Sequence, residues 1–247
     1  MPAAKVNAYL VTGGRFHDTD FARLELLKLL AEVANVRTKV GNDYSDIAGI
    51  AASDFLITYT CDLLPTASEV ADLRRWVEDG GRWFALHGTN SILRLIGTTG
   101  CRCPDDELPE FFELLGTQFK AHPVIAPYRV DIVDPDHQMT RGIESFETLD
   151  EQYLSVPKSA IEVLMETRFA GEAPGFIDHE HWDDGTHPVL YTKRVGAGEI
   201  LYLTLGHCRG HYDLEPIADF NPIVERCSWN MPVFYELLRR GIRWAMP

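Results

Sequence analysis

The chain has 247 residues, 45% of them hydrophobic and 24% charged, with a formal net charge of -14 at pH 7. This acidic balance argues against nucleic acid or an anionic membrane as a partner, and no apolar run approaches the roughly 20 residues of a membrane span. The first residues lead directly into a predicted strand without a signal-peptide core, so we expect a cytoplasmic protein. The five cysteines are scattered and do not form the pattern of a disulfide framework.

The first third of the chain alternates between strands and helices. Apolar runs of strand length cover residues 6–12, 36–40, 55–59 and 82–86. Helices are predicted from Thr19 or Asp20 onward, weakly over 45–52, and from a capping box at Thr66–Glu69 to Gly80. This alternation is typical of an α/β fold with a doubly wound, mostly parallel sheet.

The remainder is less regular. A loop is predicted over 95–109, a short helix over 108–115, strands over 128–133 and 163–166, and a turn-rich segment over 137–151. A polar loop is predicted over 171–187, a β-hairpin over 189–205, a further loop over 213–228 and a closing amphipathic helix over 231–245. No linker divides the chain, so one domain over residues 1–247 is the preferred interpretation.

Three histidines follow or flank glycines at predicted strand ends: His17, His87 and His207. In an open α/β sheet, ligands bind beyond the carboxyl ends of the strands, so these rings would face one crevice. His87 stands where hydrolases place a nucleophile elbow, with Thr89 and Asn90 as neighbouring hydrogen-bond donors. The alternative is that His87 only ends the strand and bonds a carbonyl group.

Imidazoles beside a carboxylate suit proton transfer near neutral pH, with Asp150 or Glu151 as the carboxylate and Tyr153 as a donor. The same groups could instead coordinate a divalent metal. A serine or cysteine nucleophile is disfavoured, because the chain contains no G-x-S-x-G motif and neither Ser91 nor Cys61 has a recognisable base.

Several ordered stretches resemble the trehalose-utilisation (ThuA-like) family. They are residues 15–18, 80–87, 116–123, 150–153, 188–190, 196–207 and 237–245. The resemblance implies a flavodoxin-like fold of the class I glutamine amidotransferase type. It also implies that the nucleophilic elbow cysteine of those enzymes is replaced in this chain, in the neighbourhood of His87. Glutaminase activity would therefore be absent. The resemblance further implies a crevice lined by six residues: His17, His87, His122, Glu151, Tyr153 and His207.

Members of that family are associated with sugar metabolism, including disaccharides and their keto derivatives. This sequence departs from the family pattern at Gly88-Thr89-Asn90 and in apparent insertions over 95–109 and 208–228. These differences bear on which substrate is bound more than on which fold is adopted.

We therefore expect an enzyme that acts on a sugar or keto-sugar by acid–base chemistry, through isomerisation or hydrolysis. In this hypothesis His87 and His207 are acid and base, and Glu151 orients an imidazole or acts as base. The expected substrate contacts are His17, His122, Tyr153, Thr89 and Asn90. A divalent metal could assist, a non-catalytic sugar-binding or regulatory module is the alternative, and the sequence is compatible with a monomer or a homo-oligomer.

Overall fold

The computed structural model describes residues 4–97 and 100–247. Its strands are β1 (Val6–Gly14), β2 (Val36–Gly41), β3 (Phe55–Cys61), β4 (Arg82–Leu86), β5 (Arg94–Ile96), β6 (Gly100–Arg102), β7 (Thr117–Ala121), β8 (Ala126–Ile132), β9 (Phe146–Asp150), β10 (Leu154–Pro157), β11 (Glu162–Glu172), β12 (His181–Val195) and β13 (Gly198–Leu203). The helices are α1 (Thr19–Ala31), α2 (Ile47–Ala51), α3 (Ala67–Glu78), α4 (Pro109–Leu115) and α5 (Pro232–Ala245), and short 3-10 turns cover His87–Asn90 and Cys227–Asn230.

One mixed sheet contains nine of these strands in the order β2-β1-β3-β4-β13-β12-β11-β8-β9. The pairs from β2 to β13 are parallel, and those from β13 to β9 are antiparallel. The expectation of a mostly parallel sheet therefore holds for only half of it. The antiparallel half arises because residues 189–205 form a hairpin, which reverses the chain direction within the sheet.

Both faces of the parallel half are covered by helices, because side chains on its strands alternate between two apolar cores. Phe84 faces the core that contains α1 and α5, whereas Trp83 and Ala85 face the core that contains α2, α3 and α4. This explains why β3 and β4 are continuously apolar rather than alternating in polarity. The predicted capping box at the start of α3 is present, with Thr66 and Glu69 bonded reciprocally.

Three loop predictions need correction. About half of the polar segment over 171–187 is strand, because β11 and β12 continue as a long hairpin whose polar residues lie mostly on exposed positions. Residues 98 and 99 of the loop expected over 95–109 lie outside the described residues, and the rest contains the short strand β6 and part of β5. The turn-rich segment over 137–151 contains β9. In all three segments, backbone pairing forms strands that lack a strong apolar signal.

None of the helices within the described residues has both the length and the apolar character needed to cross a bilayer.

Gly241 on α5 allows the helix to approach the sheet closely. An added Cβ would lie 2.2 Å from Cε1 of Phe84, which is fully buried. Helix propensity favours alanine over glycine by up to about 1 kcal/mol, but overpacking a core costs roughly 1–3 kcal/mol. We expect Gly241→Ala to lower the free energy of unfolding by about 2 kcal/mol in urea denaturation.

Gly185→Ala is the matched control, because the nearest atom to its added Cβ is 3.8 Å away. Its effect should stay within about 0.5 kcal/mol. Wild-type stability of Gly241→Ala would show that α5 does not pack against β4 as described.

Candidate functional site

The three strand-end histidines meet beyond the carboxyl edge of the parallel strands. His17 follows β1, His87 follows β4 and His207 follows β13. The ring centroid of His17 lies 4.6 Å from that of His87 and 5.0 Å from that of His207. Sharp turns direct the chain here, since His87 and Phe16 both have positive φ angles, 46° and 70°. The convergence follows from parallel strands ending at one edge.

Glu151 lies at the centre of these rings. Its Oε2 is 3.6 Å from Nε2 of His17 and 3.5 Å from Nε2 of His87. Its Oε1 is 3.1 Å from Nδ1 of His207, 3.5 Å from Nε2 of His122 and 3.2 Å from an Arg209 nitrogen. A single buried carboxylate is thus shared by four imidazoles and one guanidinium.

Asp150, the last residue of β9, holds Glu151 in this position. Its buried carboxylate accepts hydrogen bonds from the backbone N–H groups of Gly206 and His207, both at 3.0 Å, and of Ser228 at 3.3 Å. In a flat sheet, the four strand spacings between β13 and β9 would amount to about 19 Å. The antiparallel half of the sheet therefore curls back, which brings the end of β9 to the end of β13.

Hydrogen bonds to acceptor-only groups define the imidazole tautomers. Nδ1–H of His87 donates to the Thr204 carbonyl at 2.8 Å, and Nδ1–H of His17 donates to the Arg15 carbonyl at 3.4 Å. Nε2 of His17 and Nε2 of His87 lie 2.8 Å apart. The Tyr153 hydroxyl oxygen is 3.1 Å from the same Nε2 of His87.

Burial and neighbouring charges separate the pKa values of these groups. Burial, with help from the nearby His87 and His207, lowers the pKa of His17 to about 3, so its ring is neutral. Burial alone would raise the pKa of Glu151, but the imidazoles of His122 and His207 hold it well below its usual value. Burial opposes the charge on His207, yet the Glu151 and Glu225 carboxylates raise its pKa to about 9.

A cavity of about 250 Å³ opens beside this cluster. Its polar lining includes His17, His122, Glu151, Tyr153 and Arg209. Its walls include the apolar side chains of Phe16, Leu93, Leu95, Phe119, Phe176, Leu214 and Ile217. Mostly apolar walls with a few convergent polar groups are typical of a small-molecule site, and the volume suits a small ligand.

Four sequence-predicted residues occupy other positions. His87 and His207 are fully buried behind the lining residues, where they contact Glu151 without facing the cavity. The side chains of Thr89 and Asn90 turn into the protein, donating to the Leu86 carbonyl at 2.8 Å and to Thr117 Oγ1 at 2.7 Å. The structure does not bring Thr89 and Asn90 to the cavity, because the 3-10 turn that begins at His87 directs their side chains toward neighbouring elements.

Two charged residues of the site were missed in the sequence. Arg209 bridges Glu151 and Glu225, and Glu225 accepts a hydrogen bond from Nε2–H of His207 at 2.9 Å. Both lie in the segment 208–228, where an antiparallel bridge pairs Arg209 with Glu225. Spacing in the sequence does not reveal this pairing; the only available signal was the position of Arg209 two residues after His207.

Cys61, at the end of β3, lines the cavity but is not poised as a nucleophile. Burial, together with the nearby Glu151 carboxylate, raises the pKa of its thiol well above the usual value, so the thiol stays protonated at neutral pH. The elbow position itself carries His87.

The fold and site thus define an α/β protein with a buried histidine–carboxylate cluster at the strand ends, beside a small cavity. The ThuA family model, described as trehalose utilisation, matches residues 7–220, and the chain belongs to this family. No curated protein matches the sequence significantly.

Solved structures of putative ThuA-like proteins share the fold. The protein from Bacteroides uniformis is 17% identical, with a TM-score of 0.66 over 99% of this chain and 93% of that one. The protein from Parabacteroides merdae is 14% identical, with a TM-score of 0.69 over 98% of this chain and 90% of that one. A β-galactosidase from Bacillus circulans is 13% identical, with a TM-score of 0.52 over 81% of this chain and 28% of that one.

Asp150→Asn tests whether this carboxylate holds the site together. In the wild type, both carboxylate oxygens of Asp150 accept hydrogen bonds from the N–H groups of Gly206, His207 and Ser228. The asparagine side chain has only one acceptor oxygen, so at least one of these N–H groups loses its partner. Leaving a buried donor unsatisfied costs about 1–3 kcal/mol, and more where a charged group is involved. We expect the free energy of unfolding to fall by about 3 kcal/mol, measured by chemical denaturation.

Asp184→Asn is the control, because Asp184 forms an exposed ion pair with Arg168. Its effect should remain below about 1 kcal/mol. Equal effects of the two substitutions would contradict the role given to Asp150.

Proposed function

We propose that this protein is an enzyme of carbohydrate metabolism that transfers a proton on a sugar or keto-sugar bound in the cavity. Membership of the trehalose-utilisation family supports the substrate class. The observation that carries the proposal is the ionised, buried Glu151 carboxylate, surrounded by imidazoles on the floor of a ligand-sized cavity. Outside functional sites, such a concentration of buried titratable groups is uncommon.

A keto-sugar suits this site because the hydrogen on the carbon next to its carbonyl is acidic. A base removes that proton to form an enediolate. A proton then moves from the neighbouring hydroxyl to the former carbonyl oxygen, and return of the first proton to the former carbonyl carbon completes an isomerisation. A positioned general base contributes about 10²–10⁴-fold to such a step. Hydrolytic cleavage of a disaccharide is the other outcome, and analysis of the products distinguishes the two.

We assign the proton transfer to His122. Its Nδ1–H donates to the Pro123 carbonyl at 2.8 Å, so Nε2 is the nitrogen of this cavity-lining ring that exchanges a proton with the substrate. Glu151, 3.5 Å from that Nε2, stabilises the positive charge that the ring gains on taking the proton. Tyr153 and His17 line the same cavity and contact the bound substrate.

His87 and His207 are positioning residues in this assignment. Both contact Glu151 but are buried behind the cavity wall, so they hold the carboxylate rather than the substrate. This assignment changes the acid and base roles expected for them, since a general base must be within hydrogen-bond reach of the proton that it removes.

His122→Ala tests the assignment. The wild-type protein is incubated with a keto derivative of trehalose in D₂O, and NMR follows deuterium exchange at the carbon next to the carbonyl. We expect the exchange rate to fall about 100-fold or more in the variant. His181→Ala is the control, because His181 is exposed on β12 and pairs with Glu172.

Trehalose itself lacks the acidic hydrogen and should show no exchange. Binding of the keto-sugar by calorimetry without exchange in the wild-type protein would overturn the proposal and favour a non-catalytic sugar-binding module. Equal exchange rates in wild type and His122→Ala would overturn the role of His122.

A further inference from the structure

We propose that His17, His87, His207 and Glu151 form a binding site for one divalent transition-metal ion. All four side chains are buried, and one ligand atom from each lies within 4.8 Å of the others. Ligands at about 2.0–2.2 Å around one tetrahedral ion are separated by about 3.4 Å. To enclose an ion, the 2.8 Å contact between His17 and His87 would have to widen slightly and the longest separations in the cluster would have to shorten.

The first argument is the contact between two ring nitrogens. Nε2 of His17 and Nε2 of His87 lie 2.8 Å apart, and Nδ1 of each ring already donates to a backbone carbonyl. Two ring nitrogens this close must share a cation, either a proton or a metal ion. Glu151 Oε2, at 3.5 and 3.6 Å from the same atoms, adds a carboxylate oxygen to this space.

The second argument comes from His207. Its Nε2–H donates to Glu225, and its buried Nδ1 has no hydrogen-bond partner among the described residues. That Nδ1 lies 3.1 Å from Glu151 Oε1 and therefore faces the cluster. A metal cation bound between His207 Nδ1 and Glu151 Oε1 would replace the proton on Nδ1 and would contact both atoms.

The third argument is the layer of groups around the four ligands. Metal-binding histidines usually donate their other N–H to a carbonyl or a carboxylate, which sets the ring orientation. His17 does so to Arg15, His87 to Thr204 and His207 to Glu225. All three rings thus show the pattern of oriented metal ligands.

The donor set selects the class of ion. Three imidazole nitrogens and one carboxylate oxygen suit Zn²⁺ and related ions such as Co²⁺, whereas Mg²⁺ and Ca²⁺ prefer oxygen ligands. His17 and Glu151 also line the cavity, so the ion would lie at its floor. An ion there could polarise a substrate carbonyl; this role rests on the proposed function, whereas binding of the ion does not.

The test measures binding without any substrate. Protein treated with a chelator and dialysed is titrated with ZnCl₂ by calorimetry, and its bound zinc is measured by mass spectrometry. We expect about one equivalent in the wild type. His17→Ala and His207→Ala each remove one ligand and should weaken binding about 100-fold or more, since changes even beyond the ligands cost 10–100-fold.

His122→Ala is the matched control. His122 also approaches Glu151, at 3.5 Å, but lies outside the four-residue cluster, so this variant should keep its zinc. Circular dichroism establishes that each variant is folded. Co²⁺ in place of zinc provides a second measurement, because its visible absorption bands change when a ligand is lost.

Absence of stoichiometric zinc in the folded wild-type protein would overturn the inference. Unchanged affinity and unchanged cobalt bands in both folded ligand variants would do the same. Zinc binding without deuterium exchange on the keto-sugar would leave the metal site intact and refute the proposed function. Exchange by a protein that binds no metal would refute the metal site alone.

Discussion

The hydrogen bonds of the Asp150 carboxylate are the interaction on which the rest of the site depends. They join the end of β9 to the backbone of Gly206 and His207, which follow β13. In the sheet, β9 and β13 are separated by three other strands. The curl of the antiparallel strands makes this contact, and the contact in turn places Glu151 among the histidines. The buried carboxylate of Asp150 thus positions the buried carboxylate of Glu151.

Charge balance explains the composition of the cluster. An ionised carboxylate buried as deeply as Glu151 is costly unless charged or hydrogen-bonding partners surround it. Arg209 and the imidazole of His207 are those partners of Glu151. The Glu225 carboxylate pairs with both of them as a second negative charge. Because the partners come from different elements, the electrostatics of the site depend on the whole tertiary arrangement rather than on any single motif.

The cavity combines two kinds of structure. Its polar floor lies at the ends of sheet strands. Much of its wall comes from Leu95 and Cys101, from the segment 208–228 and from the tip of the β11–β12 hairpin near Phe176. Strand ends hold reactive groups rigidly, and loops can vary without disturbing them. In the proposed function, the polar cluster carries out the chemistry and the apolar walls select the substrate.

The sequence by itself determined the parallel half of the fold, because β1, β3 and β4 are buried on both faces and their apolar character depends little on distant partners. It also located His17, His87 and His207, since residues after parallel strands share one edge of the sheet. Only the tertiary structure decided that His87 and His207 lie behind the cavity, that Thr89 and Asn90 face the interior, and that Arg209 and Glu225 complete the cluster. These features depend on turn geometry and on pairing between distant segments, which local apolar patterns do not encode.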